Sequence, residues 1–171
     1  SSVWIKNSYR AVIALNKVFT ERKELLKDYK VILLGVTNKH MYNKIIDSSN
    51  AKKFVFENYV SSDELELLYK NAYALIYPTL NEGFGYPPIE AMKYRTPTLC
   101  SAVTSLTEVC GNPALYFNPF NIDEIATRII EILDKDIRNS LIQKMDDHYE
   151  LILNKQTADL NKLINIITSS E

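Results

Sequence analysis

The segment NEGFGYPPIEAM, residues 81–92, places one glutamate on each side of a turn that contains two glycines and two prolines. The whole chain of 171 residues has only four glycines and six prolines, so their concentration here indicates a special backbone conformation. Glycine permits positive φ angles and close approach of a ligand, and proline is tolerated in the first turn of a helix. The sequence therefore predicts a tight turn at Gly83 to Gly85 that leads into a helix starting at Pro87 and Pro88.

Such a helix start can bind an anion, because it presents unpaired N–H groups and a partial positive charge. Glu90, in the first turn, would repel a phosphate placed against it, but it could accept hydrogen bonds from the ribose diol beside that phosphate. Glu82 precedes the glycines and would face the group attached beyond the phosphates. The alternative is a plain helix entry with one dipole-favoured and one solvent-facing glutamate. The residues alone leave these two interpretations balanced.

Apolar residues along the chain alternate between short continuous runs and helical spacing, which is typical of an α/β fold. The predicted strands are VILLG (31–35), KFVFEN (53–58), AYALIYP (72–78), TPTLCS (96–101) and ALYFNP (114–119). Continuous apolar runs indicate that both sheet faces are covered, so we expect one Rossmann-like, doubly wound parallel sheet of about five or six strands. Ligands bind beyond the carboxyl ends of such strands, and the 81–92 segment directly follows the third one.

Helices are expected between the strands and in a C-terminal helical tail. The predicted helices include one from about residue 8 to 28 and tail helices at 121–133, 137–153 and 156–168. SSDE (61–64) and SLTE (105–108) have the spacing of a capping box, so Glu108 is interpreted as a capping residue and not as a ligand-binding residue.

Composition limits the classes of partner and compartment. A formal net charge of −1 gives no reason to expect a nucleic-acid partner. Cys100 and Cys110 are interpreted as free thiols in a reducing compartment. No apolar run approaches the length of a membrane span and no signal peptide opens the chain, so we expect a cytoplasmic protein. The chain starts without Met and without a strand-length apolar run before its first helix, so we expect it to be part of a longer protein.

Residues 54–119, and above all PTLNEGFGYPPIEAMKYRTPTLCS (78–101), resemble the C-terminal, donor-binding domain of retaining GT-B glycosyltransferases of the family-4 type. Glu82 and Glu90 match the E-x7-E signature of that family. The resemblance implies that residues 1–171 are a single nucleotide-sugar-binding domain, one half of a GT-B fold. It also implies that the N-terminal acceptor domain is absent from this chain.

The resemblance assigns expected roles around a nucleoside diphosphate sugar. Glu90 is expected to hold the ribose hydroxyls, and Glu82, as the catalytic residue, to contact and position the transferred sugar. Backbone N–H groups of the turn are expected to reach the sugar or diphosphate. The turn contributes the donor-binding residues Gly83, Phe84, Gly85 and Tyr86, and the Tyr86 hydroxyl could add a contact.

Other positions match the family less completely. Lys6 matches a lysine that neutralises the diphosphate, but no arginine stands at the matching distance before it. The nucleobase is expected near Tyr59 and Val60. Arg95 occupies a helix-end position that is usually glycine, which predicts a left-handed residue or a different helix termination. No cofactor and no metal are expected, because no Asp-x-Asp or histidine cluster is available to bridge a diphosphate.

The implied activity is transfer of a hexose from a nucleoside diphosphate sugar to a glycan or lipid-linked acceptor with retention of configuration, as in bacterial polysaccharide biosynthesis. This domain alone is expected to bind nucleotide weakly and to be inactive. Peripheral contact of the full-length enzyme with the inner face of the membrane is left open. Two alternatives remain: a GT-B fold nucleotide-sugar epimerase, whose acid and base we cannot place, and a non-catalytic sugar-nucleotide-binding scaffold domain.

Overall fold

The computed structural model describes residues 5–103 and 105–168. Parallel strands alternate with helices in these segments, which confirms the α/β fold class. The strands are β1 (Val31–Leu34), β2 (Phe54–Glu57), β3 (Leu75–Tyr77), β4 (Thr98–Ser101) and β5 (Ala114–Phe117). Each strand lies within a segment that the sequence predicted, because continuous apolar runs of this length are buried most readily in a sheet.

The helices largely follow the predicted spacing. They are α1 (Ser8–Glu21), α2 (His40–Asn43), α3 (Ser62–Asn71), α4 (Tyr86–Lys93), α5 (Leu106–Cys110), α6 (Ile122–Glu131), α7 (Lys135–Gln143) and α8 (Met145–Thr168), with a 3-10 helix at Ser48–Lys53. α1 ends earlier than predicted, and residues 22–28 form turns. The predicted break between residues 153 and 156 is wrong, since neither Gly nor Pro interrupts α8 there. No helix in the described ranges is both long and apolar enough to cross a membrane.

The sequence predicted one sheet, but the five strands form two separately hydrogen-bonded sheets. β1 pairs with β2, and β3, β4 and β5 form a second sheet in that order. Both faces of β4 are buried, but Ile32 and Leu34 of β1 are 46% and 38% exposed. The expectation that every apolar strand is covered on both faces is therefore wrong for β1.

Residues 5 and 6 connect the carboxyl ends of the two sheets. The backbone N–H of Leu80, after β3, donates to the carbonyl oxygen of Ile5 at 2.7 Å. Lys6 Nζ lies 3.9 Å from the point where a Cβ on Gly35, after β1, would stand. The segment that precedes α1 therefore lies at the edge of the sheets where ligands bind in parallel α/β folds.

Asn7 fixes the start of α1 to the ends of β3 and β5. It is 4% exposed, and its φ of 51° lies in the left-handed region that asparagine tolerates better than most residues. Its Nδ2 donates to the carbonyl oxygens of Pro78 at 3.0 Å and Pro119 at 2.8 Å, and its Oδ1 accepts from Arg10 Nη1 at 2.7 Å. One side chain therefore sets the position of two strand ends relative to α1.

Replacing Asn7 by alanine should lower the free energy of unfolding by about 3 kcal/mol, because two buried carbonyls lose their donor and alanine is strained at this φ. Asn7→Gly relieves the strain and should lose less. Urea unfolding followed by circular dichroism measures both changes. The exposed Asn112→Ala is the control and should change stability by less than about 0.5 kcal/mol. An Asn7→Ala variant as stable as this control would contradict the assignment.

Candidate functional site

Glycine is sterically required at one position of the turn formed by residues 82–90, hereafter the glutamate turn. Gly85 precedes α4 with a φ of 99°, and a Cβ there would lie 2.5 Å from Leu106 Cδ2. Gly83 does not have a positive φ, and no atom lies within 4 Å of its Cβ position. The predicted special conformation therefore belongs to Gly85, whereas Gly83 leaves open space at the surface of the turn.

Ser105 fixes the orientation of the glutamate turn. Its Oγ lies 3.1 Å from the carbonyl oxygen of Glu82 and 3.2 Å from that of Phe84, and it donates to these acceptors. In a trans peptide the N–H group points opposite to the carbonyl, so the N–H groups of Gly83 and Gly85 point away from Ser105. Within residues 5–103 and 105–168, no hydrogen bond uses the N–H groups of Gly83, Phe84 or Gly85. The N–H groups of Gly83 and Gly85 are therefore oriented and available to a ligand.

The role of Ser105 was missed in the sequence, where SLTE indicated a capping box. Ser105 makes no side-chain cap, and the Glu108 carboxylate instead accepts from Lys155 Nζ of α8 at 2.9 Å. The capping prediction for Glu108 is therefore wrong, because contacts with distant residues replace the local ones. By contrast, Ser61 and Glu64 do form the predicted capping box at α3.

Each glutamate of the turn accepts a hydrogen bond from a tyrosine hydroxyl. Tyr77, the last residue of β3, donates to Glu82 Oε2 at 2.5 Å, and Tyr69 of α3 donates to Glu90 Oε2 at 3.2 Å. Burial raises the pKa of both phenols far above the usual value, and the neighbouring carboxylates raise it further. The phenols are therefore permanent donors at neutral pH. They anchor the half-buried Glu82 and the exposed Glu90.

The remaining predicted site residues lie at the same carboxyl edge with fewer mutual contacts. Lys6 is exposed beside Gly35, and Val60 is half-buried between β2 and α3. The rings of Phe84 and Tyr86 are 4.9 Å apart, and Tyr86 is 61% exposed. The structure thus brings the two glutamates and the intervening turn together. The ligand contacts of Lys6, Val60, Phe84 and Tyr86 stay predictions.

Gly83, Tyr86 and Glu90 of the glutamate turn are exposed to solvent. Two open surface depressions of about 460 and 350 Å³ are lined by residues 20–25 and by a group around Tyr29, Tyr73 and Arg138. Neither includes a residue of the turn. Tyr29 and Tyr73 precede β1 and β3, so the second depression lies at the amino ends of these strands, opposite the edge that bears the turn.

Metal-binding arrangements are absent from the described part of the chain, where no group of three or more His, Cys, Asp or Glu side chains could hold an ion. The expectation that the chain offers no Asp-x-Asp is wrong, since Asp134 and Asp136 have this spacing. The Asp134 carboxylate, however, accepts the backbone N–H groups of Asp136 and Ile137. This pair therefore caps α7. Independence from metal remains a prediction.

Parallel strands that alternate with helices, with a helix entry at their carboxyl ends, place this chain in the class of Rossmann-like α/β domains. A family model described as glycosyl transferases group 1 matches residues 8–148. The chain therefore belongs to the glycosyl transferases group 1 family, whose members among the solved structures have the GT-B fold.

Two curated relatives are mannosyltransferases by name. The O-antigen chain mannosyltransferase RfbU of Salmonella typhimurium (strain LT2) is 38% identical over 118 residues, which cover 68% of this chain and 32% of that protein. The O-antigen chain mannosyltransferase B of Escherichia coli is 42% identical over 78 residues, which cover 46% of this chain and 20% of that protein. The chain spans about a third or less of the length of these relatives.

Solved structures support the fold. The C-terminal domain of a glycosyl transferase group 1 family protein (LpcC) from Francisella tularensis matches with a TM-score of 0.70 at 17% identity, over 89% of this chain and 80% of that one. The α,α-trehalose 6-phosphate synthase from Burkholderia multivorans matches with a TM-score of 0.73 at 11% identity, over 97% of this chain and 41% of that one. At these identities the likeness concerns the fold alone.

Alanine substitutions at the two glycines should separate their roles. Gly85→Ala should lower the free energy of unfolding by more than about 1 kcal/mol, because its Cβ meets Leu106 and its φ is left-handed. The matched control Gly83→Ala has open space and should stay within about 0.5 kcal/mol of the wild type. Urea unfolding measures both. Equal effects at the two positions would show that the turn has another conformation.

The buried tyrosines should make stability depend on alkaline pH. The folded protein keeps protons on Tyr69 and Tyr77 that the unfolded chain releases near pH 10. The contribution of these phenols to the free energy of unfolding is therefore complete below about pH 9 and is lost as pH rises above about 10. Each phenol steepens the decline by at most about 1.4 kcal/mol per pH unit. Urea unfolding between about pH 8 and pH 11 should show a shallower decline for the Tyr69→Phe, Tyr77→Phe double variant. If the free energy of unfolding declines equally with pH in the wild type and the double variant, the two tyrosines do not cause this dependence.

Proposed function

We propose that this chain is the donor-binding domain of a retaining, family-4 type glycosyltransferase and that Glu82 and Glu90 form its E-x7-E motif. The observation that carries the proposal is the glutamate turn, where outward-pointing N–H groups lie between two anchored carboxylates. The start of α4 adds a partial positive charge, which favours a diphosphate beside it. Glu90 would accept the ribose hydroxyls and Glu82 would face the transferred sugar.

The proposed donor is a nucleoside diphosphate mannose, and the proposed acceptor is a glycan or lipid-linked glycan. The names of the O-antigen mannosyltransferases from Salmonella typhimurium and Escherichia coli support this choice and favour transfer over the epimerase and scaffold alternatives. The acceptor would bind a second domain, which is consistent with the larger size of these relatives. In the proposed complex, that domain closes over the open glutamate turn and excludes water.

Breakage of the anomeric C–O bond leaves negative charge on the departing diphosphate, so donors already oriented toward its oxygens should contribute most to catalysis. The N–H groups of Gly83 and Gly85 and the ammonium of Lys6 are the proposed donors. Glu82 would orient the sugar so that leaving group and acceptor are correctly placed, which is a positioning contribution and not nucleophilic attack. Hydrolytic carboxylate pairs act on a single bond, whereas this pair is suited to bind two parts of one donor.

The proposed reaction requires neither cofactor nor metal, because N–H groups and Lys6 supply the positive potential that a divalent cation would otherwise provide. We propose cytoplasmic localisation for the full-length enzyme, with access to a lipid-linked acceptor at the inner face of the membrane. The isolated domain would bind nucleotide weakly and would not transfer sugar, since it lacks the proposed acceptor site.

Substitution of Glu90 tests the proposed ribose contact. Titration of GDP, UDP and ADP and of their mannose esters, followed by calorimetry, should identify one preferred nucleotide. Glu90→Ala should weaken its binding by about tenfold or more, because a charge-assisted hydrogen bond to the ribose is lost. Glu90→Gln retains an uncharged acceptor, so its affinity for the nucleotide should lie between those of the wild type and Glu90→Ala. Glu150→Ala, an exposed glutamate of α8, is the control. Equal affinity of Glu90→Ala and the wild type, or binding of none of these nucleotides, would reject the proposal.

A further inference from the structure

We propose that Tyr69 and Tyr77 are positioning residues that prepare the two ends of the donor site separately. Tyr77 orients Glu82 for the transferred sugar, and Tyr69 orients Glu90 for the ribose. This inference rests on the proposed donor-binding function. It adds two residues that lie outside the 81–92 segment and that the sequence pattern did not single out.

The two tyrosines reach the glutamates from separate, independently fixed elements. Tyr77 ends β3, where its backbone is in register with Cys100 of β4. Tyr69 of α3 is 8% exposed, and its ring stacks on that of Tyr94 with centroids 6.2 Å apart. The carbonyl oxygen of Tyr69 also accepts from the buried Thr96 Oγ1 at 2.5 Å. Both hydroxyls are therefore carried by residues outside the turn, on a paired strand and a packed helix.

The glutamates need such support, because a glutamate side chain loses rotamer freedom when it is ordered. Glu90 is exposed on α4, and without Tyr69 its carboxylate would sample several orientations before ribose binds. An anchored carboxylate has already lost this entropy, so the donor gains affinity through preorganisation. An anchored Glu82 holds the transferred sugar in a fixed position, and small displacements of the sugar would lower the rate.

The hydroxyls do not compete with the donor for the carboxylates. An ionised carboxylate accepts at both oxygens and offers about four lone-pair sites. A phenol that donates to Oε2 therefore leaves capacity for a sugar or ribose hydroxyl. Because the phenols stay protonated at neutral pH, they act as donors in every state of the enzyme.

The Tyr→Phe substitution isolates this contribution, since it removes only the hydroxyl and keeps the packed ring. The test uses the full-length protein, with GDP, UDP or ADP, whichever binds most tightly, and with release of that nucleotide from its mannose ester as the rate. Tyr69→Phe should raise the Kd of the nucleotide about tenfold and change kcat by less than about twofold. Tyr77→Phe should leave this Kd within about twofold and lower kcat about tenfold.

Tyr116→Phe is the matched control, because Tyr116 Oη donates to the carbonyl oxygen of Gly111 at 2.7 Å and contacts neither glutamate. It should lower the melting temperature and leave both Kd and kcat unchanged. If Tyr69→Phe and Tyr77→Phe behave in this way, their roles are structural and the inference is overturned. Equal effects of both substitutions on Kd and kcat would also overturn it, since the two ends of the site would not be prepared separately.

Failure of the inference can be distinguished from failure of the proposed function by Glu90→Ala. If Glu90→Ala weakens nucleotide binding and Tyr69→Phe does not, the donor site stands and the positioning role is wrong. If neither weakens it, the donor site itself is wrong and the inference falls with it. If Tyr69 acts through Glu90, adding Tyr69→Phe to Glu90→Ala should change Kd by less than about twofold. A further tenfold loss would show that Tyr69 acts independently.

Discussion

A bifurcated hydrogen bond from the Ser105 hydroxyl decides which way the glutamate turn faces, and the arrangement of the candidate site depends on it. The hydroxyl is shared between the carbonyl oxygens of Glu82 and Phe84, so the N–H groups of the peptides to which these carbonyls belong point to the opposite side. The left-handed Gly85 then directs the chain into α4, whose N-terminus adds its partial charge on the same side. The oriented donors of this short loop are therefore uncharged backbone N–H groups.

The sheets place this loop where a ligand can use it. β3 ends immediately before the glutamate turn, and Asn7 holds the ends of β3 and β5 against the start of α1. The same connection brings Lys6 to the carboxyl edge, beside Gly35. Lys6 and the start of α4 therefore lie at the same edge of a chain whose formal net charge is −1. A few local positive groups suit recognition of one small anionic group better than binding to an extended polyanion.

Much of the fold could be predicted from local pattern. All five strands lie within predicted segments, and the Ser61 capping box forms. Of the two alternatives predicted for Arg95, the structure has the left-handed conformation, with a φ of 57°. The predictions fail where a side chain forms its hydrogen bond with a distant residue and not with a local one. SLTE has the same spacing as SSDE, yet Glu108 pairs with Lys155, which is 47 residues away. Tyr69 and Glu90 are 21 residues apart, so no short motif could reveal their contact.

An amide ¹H–¹⁵N correlation spectrum of the domain during titration with GDP, UDP or ADP tests directly whether the glutamate turn binds a nucleotide. If the glutamate turn binds the diphosphate through its backbone, the resonances of Gly83, Phe84 and Gly85 should move most, and Gly111, at a turn outside the site, should stay in place. If the nucleotide binds while these three resonances remain unmoved, or if the largest changes surround Tyr29 and Tyr73, the ligand occupies another surface and the account is contradicted.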